Sequence, residues 1–458
     1  MESLLIAAID VLARETMMFA CAGLLIGGID DVALDLVFWW SRLRRRPAGQ
    51  PPPAVSPGAG GPIAVFVPAW DESAVIAPML ATTLARFGDD RFRLYVGAYP
   101  NDRATIDVVV AVAERDARVR LVVNPLPGPT TKADSLNCCW EALLREERGE
   151  QWRAIGVVLH DAEDVVHRDE LAVFRRYLSI ADVVQLPVLP LADARSPLIA
   201  GHYCDEFAES HGKTLIAREV LGAALPLAGV GCAIARDLLG RIADGRDGRP
   251  FDAASLTEDY ELGLLTASLG ARQAFARMRD DAGQLIAVRE YFPATLDGAV
   301  RQKARWMVGI ALAGWDRVGW GRPLDWREHW MRMRDRRAPL AMLVLLAAYL
   351  ALLGWGASTL VHALTGTAPP DPGLAMSWLL RVNAGLLGWR LAMRVLFTWR
   401  AYGPVEAAWS VPRVFVANCV ALLAARRAMW RYVATLRGAP TTWEKTQHRF
   451  PDILRETS

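Results

Sequence analysis

Apolar positions along the chain fall into two patterns, long uninterrupted runs towards both ends and short runs in the middle. Ala338 to Val361 is free of charge for 24 residues, more than the roughly 20 that cross a bilayer as a helix. A turn-rich break, 365–373, leads into an apolar stretch, 374–400, that carries Arg381, Asn383, Arg390 and Arg394. Positions 383, 390 and 394 share one helical face. A charge at mid-bilayer costs about 2.5–3.5 kcal/mol on insertion scales, so that face is expected to meet protein or headgroups. Residues 338–400 thus read as a transmembrane hairpin. Near the N-terminus, Thr16 to Ile29 is uncharged for 14 residues, and extension back to Leu4 takes in Asp10 and Arg14, an i,i+4 pair that would partly neutralise itself. One span at 4–29 is expected, then a membrane-surface helix with Trp39 and Trp40 at the interface, together residues 1–46. In 401–434 the apolar core Val414 to Ala425 is only 12 residues, bounded by Arg413 and Arg426-Arg427, which suits an interfacial or re-entrant helix.

The middle of the chain alternates differently. Residues 47–62 hold six Pro and four Gly and read as a linker. From 63 to 296, β-rich runs at Ile63–Pro68, Phe92–Ala98, Val119–Val123, Ile155–His160 and Val183–Val188 are separated by helical patterns near 73–87, 104–116, 131–148 and 169–177. That alternation predicts a parallel α/β sheet with helices on both faces, whose ligands bind beyond the carboxyl ends of the strands. Residues 297–337, with Trp306, Trp315 and Trp320, read as amphipathic interface helices, and 435–458 as a tail.

Composition narrows the class. Lys+Arg 52 against Asp+Glu 50 gives a net charge of +2, so no nucleic-acid partner is expected. Apolar residues make up 53% and charged residues 22%, which fits a polar domain joined to a few membrane helices. Four arginines within 42–46 put that end in the cytoplasm by the positive-inside rule. Three spans then leave the central region and the tail cytoplasmic. Six cysteines without a CxxC spacing read as reduced thiols. Seven scattered histidines and no GxxxxGK[ST] run argue against a zinc site and an ATPase.

Candidate chemistry falls at the strand ends. After the first strand come Pro68, Asp71, Glu72 and Ser73; after the second, Asn101-Asp102; after the third, Thr131-Lys132, with one of only four lysines. Helix capping alone accounts for Asp71, Ser73 and Asp102 about as well as binding does, and Lys132 stands where a helix start would favour a phosphate. After the fourth strand, Asp161, Glu163 and Asp164 crowd three carboxylates into four residues, a repulsion that a hard divalent cation resolves. Thr257-Glu258-Asp259 reads alone as a capping sequence, and Gln302-Lys303-Ala304-Arg305-Trp306 as part of a surface helix.

In this order the motifs resemble an inverting glycosyltransferase of family 2. The resemblance implies a GT-A (Rossmann-like) α/β catalytic domain at 63–296, with transmembrane and interfacial helices around it. The stretches 99–102 (YPND), 160–167 (HDAEDVVH), 205–209 (DEFAE), 228–236 (AGVGCAIAR), 257–263 (TEDYELG) and 443–451 (WEKTQHRFP) are similar to the inner-membrane glycosyltransferases of the phage adsorption protein B group. It implies Mg²⁺ or Mn²⁺ on Asp161 and Glu163, although the motif here is Asp-Ala-Glu rather than Asp-x-Asp. Pro68, Asp71, Glu72, Asp102, Lys132 and Asp161 would hold the nucleotide, and Asp259 would act as general base. Glu258, Gln302, Arg305 and Trp306 would meet the acceptor or diphosphate. Lys445, Thr446 and His448, in the tail, would close over the donor as a flap; an interfacial anchor is the competing reading.

The function implied is transfer from a UDP-sugar, such as an N-acetylhexosamine, to a polysaccharide or lipid-linked acceptor. It implies a multi-pass protein of the bacterial inner membrane with a cytoplasmic catalytic domain. The Gln302–Trp306 motif favours repeated addition. Three spans are few for a secretion channel, so an outer-membrane export partner is expected, and cyclic-di-GMP regulation in cis is not. The competing reading is a catalytically inactive membrane scaffold or phage-receptor component with a glycosyltransferase fold.

Overall fold

The computed structural model describes residues 2–44, 60–438 and 449–451. The short apolar runs form one sheet of seven strands: β1 Ile63–Pro68, β2 Phe92–Ala98, β3 Val119–Val123, β4 Gly156–Leu159, β5 Val183–Gln185, β6 Cys232–Ala235 and β7 Gln273–Phe275. Their order is β3-β2-β1-β4-β6-β5-β7. The sequence of β1 dictates its central place. Ile63, Val65 and Val67 enter one apolar layer and Ala64 and Phe66 the other, and a strand apolar on both faces needs helices on both. Residues of Ile76–Phe87 and Glu170–Leu178 cover the first face. Residues of Lys132–Gly149 and Arg236–Asp244 cover the second.

The sheet is mixed rather than all parallel. β1 pairs in parallel with β2 and β4, and β2 with β3, but β6 runs antiparallel to both β4 and β5. β6 and β7 have four and three residues, too few to show a period, and they were not among the expected strands. β5 stops at Gln185 instead of continuing to Val188, because Pro187 has no N–H to give the ladder. The α/β layering with a parallel half, β3-β2-β1-β4, stands as expected, and its carboxyl edge collects the loops at 68–72, 99–105, 124–131 and 160–164.

The long helices differ more. Glu2–Leu43 is one continuous helix, about 63 Å long at the usual rise, rather than a span followed by a separate surface helix. Its second half is held by protein: Asp30 accepts from Trp330 Nε1 at 2.6 Å and pairs with Arg334 and Arg337, and Asp31 pairs with Arg337 at 2.6 Å. Asp10 is bound by Ser358 Oγ at 2.5 Å and His362 Nε2 at 3.1 Å, partners from another helix in place of the expected Arg14.

Three helices among the described residues are long and apolar enough to cross a membrane: Ile6–Leu43, Ala338–Thr365 and Pro404–Leu436. Gly373–Tyr402, expected to be the second arm of the hairpin, is a helix of 30 residues outside that set. Its polar face meets protein as anticipated: Asn383 donates to Cys21 O at 3.1 Å, Arg390 to Asp31 at 3.1 Å and Arg394 to Asp205 at 3.1 Å. Pro404–Leu436 is longer than the 12-residue apolar core suggested. Arg413, which bounded that core, is buried against Asp205 and Glu406, so it does not interrupt a lipid-facing surface.

Candidate active site

At the carboxyl edge of β1 and β4 lies a cavity that opens to solvent. Ten expected residues line it: Pro68 and Glu72 after β1, Lys132 after β3, Asp161 and Glu163 after β4, Glu258 and Asp259, and Gln302, Arg305 and Trp306. They come from positions 68 to 306, and the strand edge is what brings them together.

Lys132 is the first residue of its helix, fixed by a capping box in which the Thr131 hydroxyl accepts from Asp134 N–H and the Asp134 carboxylate accepts from Thr131 N–H. Its ammonium pairs with Asp161 Oδ1 at 2.6 Å and donates to Gly229 O at 3.4 Å. Burial would push the ammonium's pKa down, but Asp161, Glu258 and Asp259 around it raise it. Across the cavity, Glu258 and Asp259 open the helix Glu258–Ser268. Burial, then the charge of Asp259, pushes the Glu258 carboxyl up to about 7. Burial raises Asp259 too, against the pull of Lys132. A raised carboxyl near a cation is the environment of a general base near neutrality.

Backbone spacing here is tight. Gly229 has φ +77°, and a Cβ at that position would lie 2.6 Å from Asp259 Oδ2 and 3.3 Å from Lys132 Nζ. Gly229→Ala is therefore expected to displace Asp259 and lower kcat at least about tenfold, since an ångström of misplacement is worth more than that. Steady-state kinetics of the variant, with its melting temperature as control, checks this.

The turn bearing Asp161 and Glu163 rests on a buried network. His160 Nδ1 meets Asp164 Oδ2 at 2.7 Å and Nε2 meets Glu170 Oε1 at 2.6 Å, with all three side chains fully buried. Asp164 Oδ2 also accepts from Asp161 N–H at 3.0 Å. Burial opposes charge on the imidazole, but the two carboxylates raise it to about 10.

Several lining positions were not anticipated as site residues, Phe207, Glu290 and Phe292 among them. Phe207 and Phe292 join Trp306, with ring centroids 4.9–6.4 Å apart. Phe207 sits inside the 205–209 stretch already noted; Glu290 and Phe292 carried no sequence signal. Thr257 Oγ1 and Gln302 Oε1, both buried and on cavity-lining residues, have no hydrogen-bond partner among the described residues.

Asp71 and Asp102 do not line the cavity. Asp102 caps Arg103–Ala113, its Oδ1 accepting from Thr105 N–H at 3.3 Å, and its Oδ2 accepts from Asp71 N–H at 2.5 Å. It fixes the loop that carries Glu72, with Asp71 at φ +52°. Neither Asp71 nor Ser73 caps the next helix, which starts at Ile76 after Val75. Lys445, Thr446 and His448 lie outside the described residues. The one group of His, Cys, Asp and Glu among the described residues whose ligating atoms fall within 4.8 Å of one another is His167, Asp169 and Asp280. None of the three lines the cavity, and His167 Nδ1 already accepts from Asp169 N–H at 3.1 Å.

Comparison with known proteins bears on this arrangement. A family model described as "Glycosyltransferase like family 2" matches residues 59–309. "Bacteriophage adsorption protein B" of Escherichia coli (strain K12) is 34% identical over 465 residues, covering 94% of this chain and 61% of that protein. "Bacteriophage N4 adsorption protein B" of Escherichia coli O157:H7 matches at the same identity and coverage. The chain thus spans less than two thirds of the length of these curated relatives. Among solved structures, the "Mannosyltransferase PcManGT from Pyrobaculum calidifontis" aligns with TM-score 0.56 and 18% identity, over 91% of this chain and 99% of that one.

Proposed function

Because the chain belongs to the glycosyltransferase-like family 2, we propose that it moves a sugar from a nucleoside diphosphate sugar to an acceptor hydroxyl with inversion, and that the donor is a UDP-sugar such as an N-acetylhexosamine. The observation that carries this is the convergence of Lys132, Asp161 and Glu163 with Glu258–Asp259 and Gln302, Arg305 and Trp306 in one cavity. Asp259 takes the acceptor proton, a role worth about 10²–10⁴ in rate. Lys132 and Arg305 place cations where charge builds on the departing diphosphate. Trp306, with Phe207 and Phe292, offers an apolar face to a sugar ring. Asp102, reassigned from direct contact, holds the Glu72 loop against the nucleotide.

Asp161 and the buried Glu163 are hard oxygen donors that fit Mg²⁺ or Mn²⁺, and such an ion supplies Lewis-acid stabilisation of the diphosphate. The mannosyltransferase neighbour is described in complex with GDP-Man and Mn²⁺, which supports a metal and makes GDP-Man a donor to test beside UDP-sugars. The acceptor side adjoins a candidate span: Ala304 and Val308 pack with Ala424 and Ala428 of Pro404–Leu436. A lipid-linked or membrane-held glycan suits that side. We place the protein in a bacterial inner membrane with this cavity in the cytoplasm and an outer-membrane partner for export.

Membranes containing the protein, with Mg²⁺ or Mn²⁺ and a panel of radiolabelled UDP-sugars and GDP-Man, test the reading. Label entering polymer or lipid supports it. The relatives' name favours a second reading, a receptor component without activity; nucleotide binding with no sugar released or transferred from any donor would sink the enzyme reading in its favour.

Two further results are expected. Transfer should fall as pH drops, because burial raises the Asp259 carboxyl above its ordinary range, so the base takes up a proton and is lost, and Glu258 beside it takes one up at about 7. Glu258→Gln should move that limb to lower pH; a rate profile from pH 5 to 9 checks it. A chain ended after Gly438 should insert normally but lose transfer, if Lys445, Thr446 and His448 close over the donor; unchanged kinetics would leave the tail an anchor.

A further inference from the structure

Directly behind the turn that carries Asp161 and Glu163, three ionisable side chains with no exposure form a row: Asp164, His160 and Glu170. None of them lines the cavity, so none can touch a substrate, and the reaction as read above uses none of them. Burying two carboxylates about one imidazole costs free energy that an apolar trio of the same volume would not. A buried charged group of this kind can fix local geometry.

Its connections say what depends on it. His160 follows β4 directly, and its N–H donates to Phe66 O at 3.0 Å, so the imidazole hangs from the two central strands. One ring nitrogen holds Asp164 at 2.7 Å and the other holds Glu170 at 2.6 Å. Asp164 then returns to the turn: its Oδ2 accepts from Asp161 N–H at 3.0 Å, and its own N–H donates to Asp161 O at 3.2 Å. Glu170 Oε2 accepts from His167 N–H at 3.3 Å, which closes the far end of the loop. The backbone of Asp161 and the exit from the turn are thus tied to one ring, and that ring to the sheet.

We propose that His160 is a positioning residue for divalent-metal binding: bridging Asp164 and Glu170, it fixes the turn that presents Asp161 and Glu163 to the ion. This rests on the reading of Asp161 and Glu163 as the metal-holding pair. Outer partners that orient ligands usually weaken metal affinity 10–100-fold when removed. His160 does so at one remove, through Asp164 and the backbone of Asp161, and the lower end of that range is expected.

The test uses the full chain in detergent and Mn²⁺ as probe, titrated by electron paramagnetic resonance alone and with UDP or GDP. His160→Gln keeps one donor and loses the bridge. Glu170→Gln leaves the cavity lining untouched and weakens only the far anchor, so it serves if the first variant does not fold. Expected is a rise of about tenfold in the Mn²⁺ dissociation constant for both, while metal-free nucleotide affinity and the melting temperature stay near wild type. A role confined to stability would lower the melting temperature and leave Mn²⁺ affinity unchanged, and that result in a folded variant overturns the proposal. Wild-type chain that holds no Mn²⁺ with either nucleotide overturns the metal reading itself, and this inference with it.

Discussion

Asp259→Asn is expected to lower turnover at least about 10²-fold while nucleotide affinity stays near wild type. The variant keeps the shape of the side chain and an oxygen that can accept from Tyr260 N–H, the bond that Oδ1 makes at 2.8 Å. What it loses is a carboxylate able to take a proton. Burial holds that carboxyl above its ordinary value, and Lys132 opposes the rise. The helix behind it is anchored: Tyr260 OH donates to Asp335 at 3.0 Å, and Asp335 takes two bonds from Arg218 at 2.8 and 2.9 Å. A loss of turnover with intact binding therefore reports chemistry rather than a displaced helix. Transfer rate and equilibrium nucleotide binding on the same preparation decide it; parallel losses in both would make Asp259 structural.

The second large effect concerns stability. Asp205 is fully buried where the helix Gly201–Glu209 meets the helices Gly373–Tyr402 and Pro404–Leu436. Its carboxylate accepts from Arg413 and Arg394, each at 3.1 Å, and from Thr398 Oγ1 at 3.3 Å. Arg413 is 1% exposed, and Gly201 leaves it room, since a Cβ there would lie 2.5 Å from the guanidinium. Asp205→Ala removes the acceptor that Arg413, Arg394 and Thr398 share, leaving the buried Arg413 only Glu406 and the Pro197 carbonyl, and breaking one side of a buried pair costs up to about 3–5 kcal/mol. Asp205→Asn should cost less, because burial already pushes this carboxyl upward against the two guanidiniums. Thermal unfolding in detergent, ranking wild type above Asn above Ala, checks this; equal melting temperatures for Asn and Ala would mean that lost packing, not charge, sets the cost.

Much of the site was legible because its signals are local. A strand apolar on both faces, a charge-free 24-residue run and three carboxylates in four residues each reflect what neighbouring residues do to one another. The ordered motifs then gave the family, and ten of the named positions line one cavity. Glu290 and Phe292 escaped notice because nothing beside them in sequence marks them; they reach the cavity only through the loop that follows β7.

What the amino-acid order determined by itself was the class: a layered α/β unit with its chemistry at the strand ends, joined to apolar helices. Period, turn residues and run length act over a few residues and suffice for that. What only the tertiary structure decided was which charge meets which. Asp102 could cap a helix or hold a nucleotide, and its bond to the Asp71 N–H makes it a support for the loop. Arg413 looked like the end of an apolar run, and Asp205, more than 200 residues earlier, lets it stay buried inside a helix of 33 residues. Lys132 looked poised for phosphate alone, and it also neutralises Asp161. The cost of burying a charge depends on a partner distant in sequence, and that partner is named only when the chain is folded.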